Sequence, residues 1–230
     1  MAIHRLRLIT VALVALLLSA ALAAPAHAAS VRVEGRSHTI FQGHAKPFVG
    51  TLQGHTTTKQ TALGSLVTAS RKKPFQLGLT WNDCCGGGWA GFFVSSINHV
   101  TPPSNAFWAF KLGNAFASNG LGSTGVTSGS RILVYYTTID PITGATEPTL
   151  GITASTLTPA PGSNVTFTVK AYDEAGTPTP AAGARVHVGA TVYDANANGK
   201  VTVKASSGTF SVWASRVANI RSQRLSVRAS

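Results

Sequence analysis

The chain is 230 residues long, enough for one or two domains, and carries 19 Lys and Arg against 7 Asp and Glu, a formal charge of +12. Seven carboxylates, set mostly in turns, argue against catalysis by convergent acids and bases, and acidic surfaces are the natural electrostatic partners of such a chain. Cys84 and Cys85 are the two cysteines present, too few for a zinc or iron–sulfur centre held by three or four thiolates.

Residues 1–28 open with Arg5 and Arg7, continue with an apolar run from Leu8 to Ala24, and end on the small residues Ala26 and Ala28. That three-part layout is a secretory signal peptide. A transmembrane anchor is the competing reading, but Thr10, Ser19 and Pro25 interrupt it. The expected location is therefore secreted, extracellular. No later stretch approaches the roughly 20 apolar residues that a helical span requires, so no membrane span is expected.

The next segments read as strands at Val31–Gly35 and Lys46–Gln53. Leu63, Leu66 and Val67 then recur at i, i+3, i+4, the stripe of an amphipathic helix. Strands follow at Phe75–Trp81, Trp89–Ile97, Phe107–Gly113 and Ile132–Thr138. Two strands, one helix and more strands is an α+β order. Of the four Trp, four Tyr and ten Phe, ten lie between Trp81 and Tyr136, so the first domain holds most of the large apolar side chains. In Phe107–Gly113, Trp108, Phe110 and Leu112 share the face expected to be core, and Phe107, Ala109 and Lys111 share the other.

A seam is expected in Ile139–Gly151, where Pro, Gly, Thr and acidic residues break the strand pattern. Beyond it, LGITAS, NVTFTVKAY, ARVHVG, KVTVKA, GTFSVWAS and RLSVRAS alternate apolar and polar residues, as in a β-sandwich. Val165, Phe167, Val169 and Ala171 would line one inner face, and Phe210, Val212 and Ala214 another. The domains are set at 29–145 and 149–230. Basic residues cluster at Arg71-Lys72-Lys73 and along Arg216, Arg221, Arg224 and Arg228, with Arg224, Ser226 and Arg228 on the wet face of a strand. Neither cluster is interleaved with aromatics, so anionic cell-wall polymer is a better partner than nucleic acid.

Several motifs invite chemistry. A vicinal disulfide between Cys84 and Cys85 would be strained, because adjacent Cα atoms sit about 3.8 Å apart, below the roughly 4.4 to 6.8 Å usual for disulfides. The alternatives are free thiols or an intermolecular bond. Gly86, Gly87 and Gly88 let the chain reverse toward Trp89. The run GLGSTG, Gly120 to Gly125, has dinucleotide-fingerprint spacing but leads into a strand, so it reads as a turn. DANANG, Asp194 to Gly199, copies half of a calcium loop, yet Ala205 stands where the bidentate Glu belongs. His38, His44 and His55 are irregularly spaced and read as scattered surface histidines. No metal site and no cofactor are expected.

The run WAFKLGNAFASNGLGSTGVTSGSRILVYYT, with VRVEGRSHTIF and TALGSLVTAS upstream, resembles the transcobalamin-like C-terminal domain family of small exported modules over Val31 to Ala145. Gly113-Asn114 stands where that family has Asn-Gly, and Ser130 where it has Asp. The resemblance implies a β-grasp-like fold related to the cobalamin-covering half of cobalamin carriers. From Leu150 to Ser230, PAAGARVHVG, DANANGKVTV and SGTFSVWASRVANIRS resemble bacterial Ig-like and carboxypeptidase-regulatory-like modules, which act as spacers or adhesive units.

The expected function is a secreted, non-catalytic binding or adhesion protein of the bacterial cell envelope, not an enzyme. Its site is expected at Asp83, Gly86, Gly87, Gly88, Trp89 and Asn114, because backbone amides in Gly-rich loops can meet a ligand closely. The alternatives are a structural envelope protein held by charge to anionic polymer, or a cobalamin-type small-ligand binder.

Overall fold

The computed structural model describes residues 28–57, 60–73, 75–83 and 90–230, so the signal-peptide segment lies outside the described residues. It is mostly β, with seventeen strands and one helix among the described residues.

The first half runs β1 (Ala29–Glu34), β2 (Thr39–Ala45), β3 (Gly50–Leu52), β4 (His55–Thr57), α1 (Ala62–Lys72), β5 (Leu77–Asn82), β6 (Gly91–Ile97), β7 (Ala106–Leu112), β8 (Ala115–Phe116) and β9 (Arg131–Thr138). Five of these strands form one sheet in the order β2-β1-β9-β7-β8. At its centre β1 runs parallel to β9, while the other pairings are antiparallel. Small antiparallel ribbons, β3–β4 and β5–β6, stand beside it. The segment Lys46–Gln53, expected as one strand, is instead divided, with β2 ending at Ala45 and β3 beginning at Gly50. Phe48 causes the division: its backbone N–H donates to the Gly64 carbonyl at 2.9 Å, diverting the chain onto α1.

The helix α1 begins at an N-cap, Thr61, whose Oγ1 accepts from the Gly64 N–H at 3.2 Å. Ala62, Leu63, Leu66, Val67 and Ala69 are buried. They join Val31 and Val33 of β1, Ile132, Val134 and Tyr136 of β9, and Trp108 of β7 in one core. Burial of this apolar surface, at about 25 cal/mol per Å², is the main force holding helix to sheet.

The second half contains β10 (Thr149–Ala154), β11 (Asn164–Tyr172), β12 (Pro178–Pro180), β13 (Arg185–Val188), β14 (Thr191–Asp194), β15 (Lys200–Lys204), β16 (Gly208–Ser215) and β17 (Leu225–Ala229). Strands β10, β11, β12 and β15 make one sheet, and β14-β13-β16-β17 another. Val165, Phe167, Val169 and Ala171 from the first meet Val186, Val212, Ala214 and Val227 from the second in a shared core. The alternating pattern is the cause, since period-two apolar residues give each strand one dry face. The Asp194–Gly199 turn carries the chain from one sheet to the other, with Asn196 Oδ1 accepting the Asn198 and Lys200 N–H groups, both at 3.0 Å.

The two halves pack through the face of the five-stranded sheet opposite α1. Here Lys111, expected on an outward face, is only 1% exposed. Its ammonium donates to the carbonyls of Asp173 (2.5 Å) and Tyr172 (3.2 Å) and to Thr149 Oγ1 (3.2 Å). Ala109, Leu133, Tyr135 and Ile220 form a small core at the same junction. Glu34, fully buried, lies 3.7 Å from Arg32 Nε and 3.5 Å from Arg221 Nη1, and both its oxygens accept from Thr39 Oγ1 at 3.0 Å. Burial pushes the Glu34 carboxyl up despite these partners. The arginines of the C-terminal run therefore part company: Arg221 is spent on this contact, whereas Arg224 and Arg228 are exposed.

Candidate functional site

Beside the helix N-terminus lies a groove of about 170 Å³ lined by His55, Thr61, Leu63, Trp81, Phe92 and Gly122 among others. Three elements build it. The turn between β3 and β4 uses Gln53 (φ 47) and Gly54 (φ 82), the two left-handed residues of a type I′ hairpin, and so places His55 next to β5. Gln53 Nε2 donates to the Leu79 carbonyl at 3.2 Å and ties that ribbon to β5. Trp81 and Phe92 are cross-strand partners in the β5–β6 register.

The rings pack as an ordered cluster. His55 stacks on Trp81 with centroids 3.5 Å apart and planes 12° apart. Phe92 meets Trp81 edge-on at 5.0 Å and His55 edge-on at 5.6 Å. Phe92 is buried, while His55 and Trp81 stay half-buried. The two edge-on contacts of Phe92 have the geometry favoured for rings, each adding about 0.5–1.5 kcal/mol beyond area burial, whereas His55 and Trp81 stack face to face. The cluster leaves part of Trp81 and His55 uncovered.

The opposite wall is the segment Gly120–Gly125. The Thr124 carbonyl accepts from the Ala62 N–H at 2.9 Å, and the Leu121 carbonyl from the Leu63 N–H at 3.0 Å. With the Gly64 N–H on Thr61 Oγ1 and the Ser65 N–H on the Thr61 carbonyl, the first turn of α1 is satisfied. The Gly-rich run is thus a cap for the helix, and the helix start has no amide left for a phosphate. What the groove presents is ring faces and shape.

The residues expected to form the site are distributed unevenly. Asp83 is exposed just past β5 and is not among the residues lining the groove. Cys84, Cys85, Gly86, Gly87, Gly88 and Trp89 lie outside the described residues. Asn114, in the β7–β8 turn, lines a different cavity, between the two halves of the molecule. Sequence reasoning passed over His55 as a partner of Trp81. The signal was present, a two-residue Gln-Gly turn that presents His55 at the start of a strand, but nothing local says which ring it will meet.

Among the described residues no group of three or more His, Cys, Asp or Glu could hold a metal ion. His38 and His44 are exposed, and His55 is engaged with Trp81. Carboxylates serve the backbone elsewhere: Asp140 Oδ1 accepts from Ile142 and Thr143 N–H at 2.8 Å, Asp173 Oδ1 from Thr177 N–H at 2.8 Å, and Glu174 Oε1 from Thr146 N–H at 2.8 Å. Those two backbone bonds hold the Asp140 carboxyl below its ordinary range. No helix among the described residues is long and apolar enough to cross a membrane.

A mostly β molecule, with one helix among the described residues and an open aromatic groove, is the class that fold and geometry define. Compared with known proteins, the chain matches no protein-family model, no curated protein and no solved structure.

Proposed function

We propose that this chain is an exported, non-catalytic binding or adhesion protein of the cell envelope. The groove at His55, Trp81 and Phe92, together with the adjoining Gly-rich segment 83–89, receives the ligand. The observation that carries this reading is the ring cluster, partly uncovered and lining a groove beside the ends of β5 and β6. Rigid aromatic faces bind rings and sugar faces at small entropic cost.

The finer fold reading has support of the same kind. Strand order β2-β1-β9-β7-β8, with its parallel central pair and one helix sharing the core, is what a β-grasp-like domain requires. That in turn favours the likeness to the transcobalamin-like C-terminal domain family. Two four-stranded sheets on one core suit an Ig-like spacer. A groove of about 170 Å³ falls below the 300–1,000 Å³ typical of enclosed small-molecule sites. Cobalamin, or any ligand of its size, would therefore lie across the groove rather than within it.

A second reading, a structural protein held to anionic wall polymer by charge, draws on the exposed Arg224 and Arg228 of the β17 edge and on Arg71, Lys72 and Lys73. Capture from cell-surface material separates the two. Deleting residues 83–88 should abolish ligand capture if the groove and its segment are the site. Capture that survives the deletion and disappears at high salt would establish the structural reading instead, because exposed charges beyond a Debye length are screened.

A further inference from the structure

A second cavity, of about 270 Å³, opens where the charged face of the five-stranded sheet meets β10 and β11. It is remote in chemistry from the aromatic groove. Three cations line it, Arg32 of β1, Arg131 of β9 and Lys170 of β11, and no carboxylate does. Arg131 and Lys170 form no ion pair among the described residues. Arg32 reaches Glu34 only at 3.7 Å, and Glu34 is shared with Arg221 at 3.5 Å. Both distances exceed the roughly 2.7–2.9 Å of a charge-assisted N–H···O bond.

Arg32 is therefore weakly compensated for a side chain only 11% exposed. Its Nη1 is buried without a hydrogen-bond partner. Burial chiefly, with repulsion from Arg221 and Arg131 added, acts against its charge, and Glu34 alone opposes them. A buried cation left this way is costly, and the cost falls when an anion enters. Arginine's planar fork and a lysine point charge are the pair proteins use for carboxylate and phosphate groups.

We propose that this cavity binds a small organic oxyanion. Its charged group sits toward Arg32, Arg131 and Lys170, and its body rests among Leu133, Tyr172 and Asn114. The volume supports a body as well as a charge, being several times the roughly 30 Å³ a water occupies in the liquid and close to the lower end of small-ligand sites. Strands from both halves of the molecule form the wall, so the ligand also bridges them. This site stands independently of the aromatic groove.

Calorimetric titration of the full chain tests the assignment, with D-glucuronate, D-glucose 6-phosphate, inorganic phosphate and D-glucose as probes. Variants Arg131→Gln, Lys170→Gln and their combination replace exposed residues, and their thermal midpoints should match the wild type. The expected result is saturable binding of glucuronate or glucose 6-phosphate at one site per chain, weakened about tenfold or more in the double variant, with glucose silent. Trp81→Ala should leave this binding unchanged, which keeps the site distinct from the groove. The carboxylate and phosphate arms identify the charged group. Absence of saturable binding by both organic anions, equal affinity in the double variant, or binding no tighter than that of inorganic phosphate would overturn the proposal.

Discussion

Lys111 carries the sharpest consequence at the scale of a single residue. Its ammonium is enclosed by two carbonyls and a hydroxyl, and burial lowers its pKa to about 8 while Asp173 and Glu174 partly oppose the shift. Since the folded value lies below the ordinary 10.5, the unfolded chain binds more protons between these two pH values. Stability contributed by this residue must then rise with pH above about 8. Lys111→Met should destabilise the protein at neutral pH by about 1–3 kcal/mol, because carbonyls are left buried and unpaired. The gap to wild type should widen as pH increases from about 8 to 10. Chemical denaturation of both proteins across that range checks the sign, and a constant gap would refute it. The sequence placed Lys111 on the face opposite Trp108 correctly, but alternation cannot distinguish water from a second domain. Glu34 and Arg32 share that ambiguity on β1.

Gly64 and the segments around it are informative at the scale of elements. A Cβ at Gly64 would collide with the Phe48 backbone carbonyl, which crosses the helix there. Alanine favours helix interiors by about 1 kcal/mol over glycine, yet overpacking costs about 1–3 kcal/mol and backbone cannot turn aside as a side chain can. Gly64→Ala should therefore lower the thermal midpoint despite its better helix propensity. An unchanged or raised midpoint would mean that residues 46–49 yield easily. The helix was legible because Leu63, Leu66 and Val67 repeat at its period. Strand β2 was not, because Gln42, Gly43 and His44 interrupt the apolar alternation. The ring of Phe41 lies over Gly43, where a Cβ would come within 3.1 Å of it, so the glycine that obscured the strand is part of its packing. The aromatic groove was half legible: Trp81 and the Gly-rich segment drew attention, while His55 reaches Trp81 only through the β3–β4 hairpin.

Contacts between the two halves decide how the molecule behaves as a whole. They are largely polar: Arg221 Nη2 donates to the Arg36 and Gly35 carbonyls at 3.0 and 3.3 Å, and Gln42 exchanges two bonds with the Arg224 backbone at 2.8 Å. Removing the sole partner of a buried charge costs about 3–5 kcal/mol; Arg221→Ala leaves Glu34 with Arg32 and Thr39, so it should destabilise by less, about 1–3 kcal/mol. Calorimetric unfolding reads this directly. An effect below about 0.5 kcal/mol, the usual size of a surface substitution, would show that the junction is loosely held. Six of the strands from Thr149 onward were plain in the sequence through their period-two pattern, whereas β12 and β14, exposed at every position, have no such pattern to read. The docking of one half on the other was hidden, because its residues are charged and scattered from Glu34 to Arg221.

In the proposed function the ring cluster at His55, Trp81 and Phe92 receives the ligand and surface charge is secondary. The most direct test compares wild type with Trp81→Ala in capture of cell-surface material at low and high salt. Capture by the wild type should resist salt and should be lost in Trp81→Ala, with the fold retained. Capture that disappears at high salt and is the same in both proteins would contradict it.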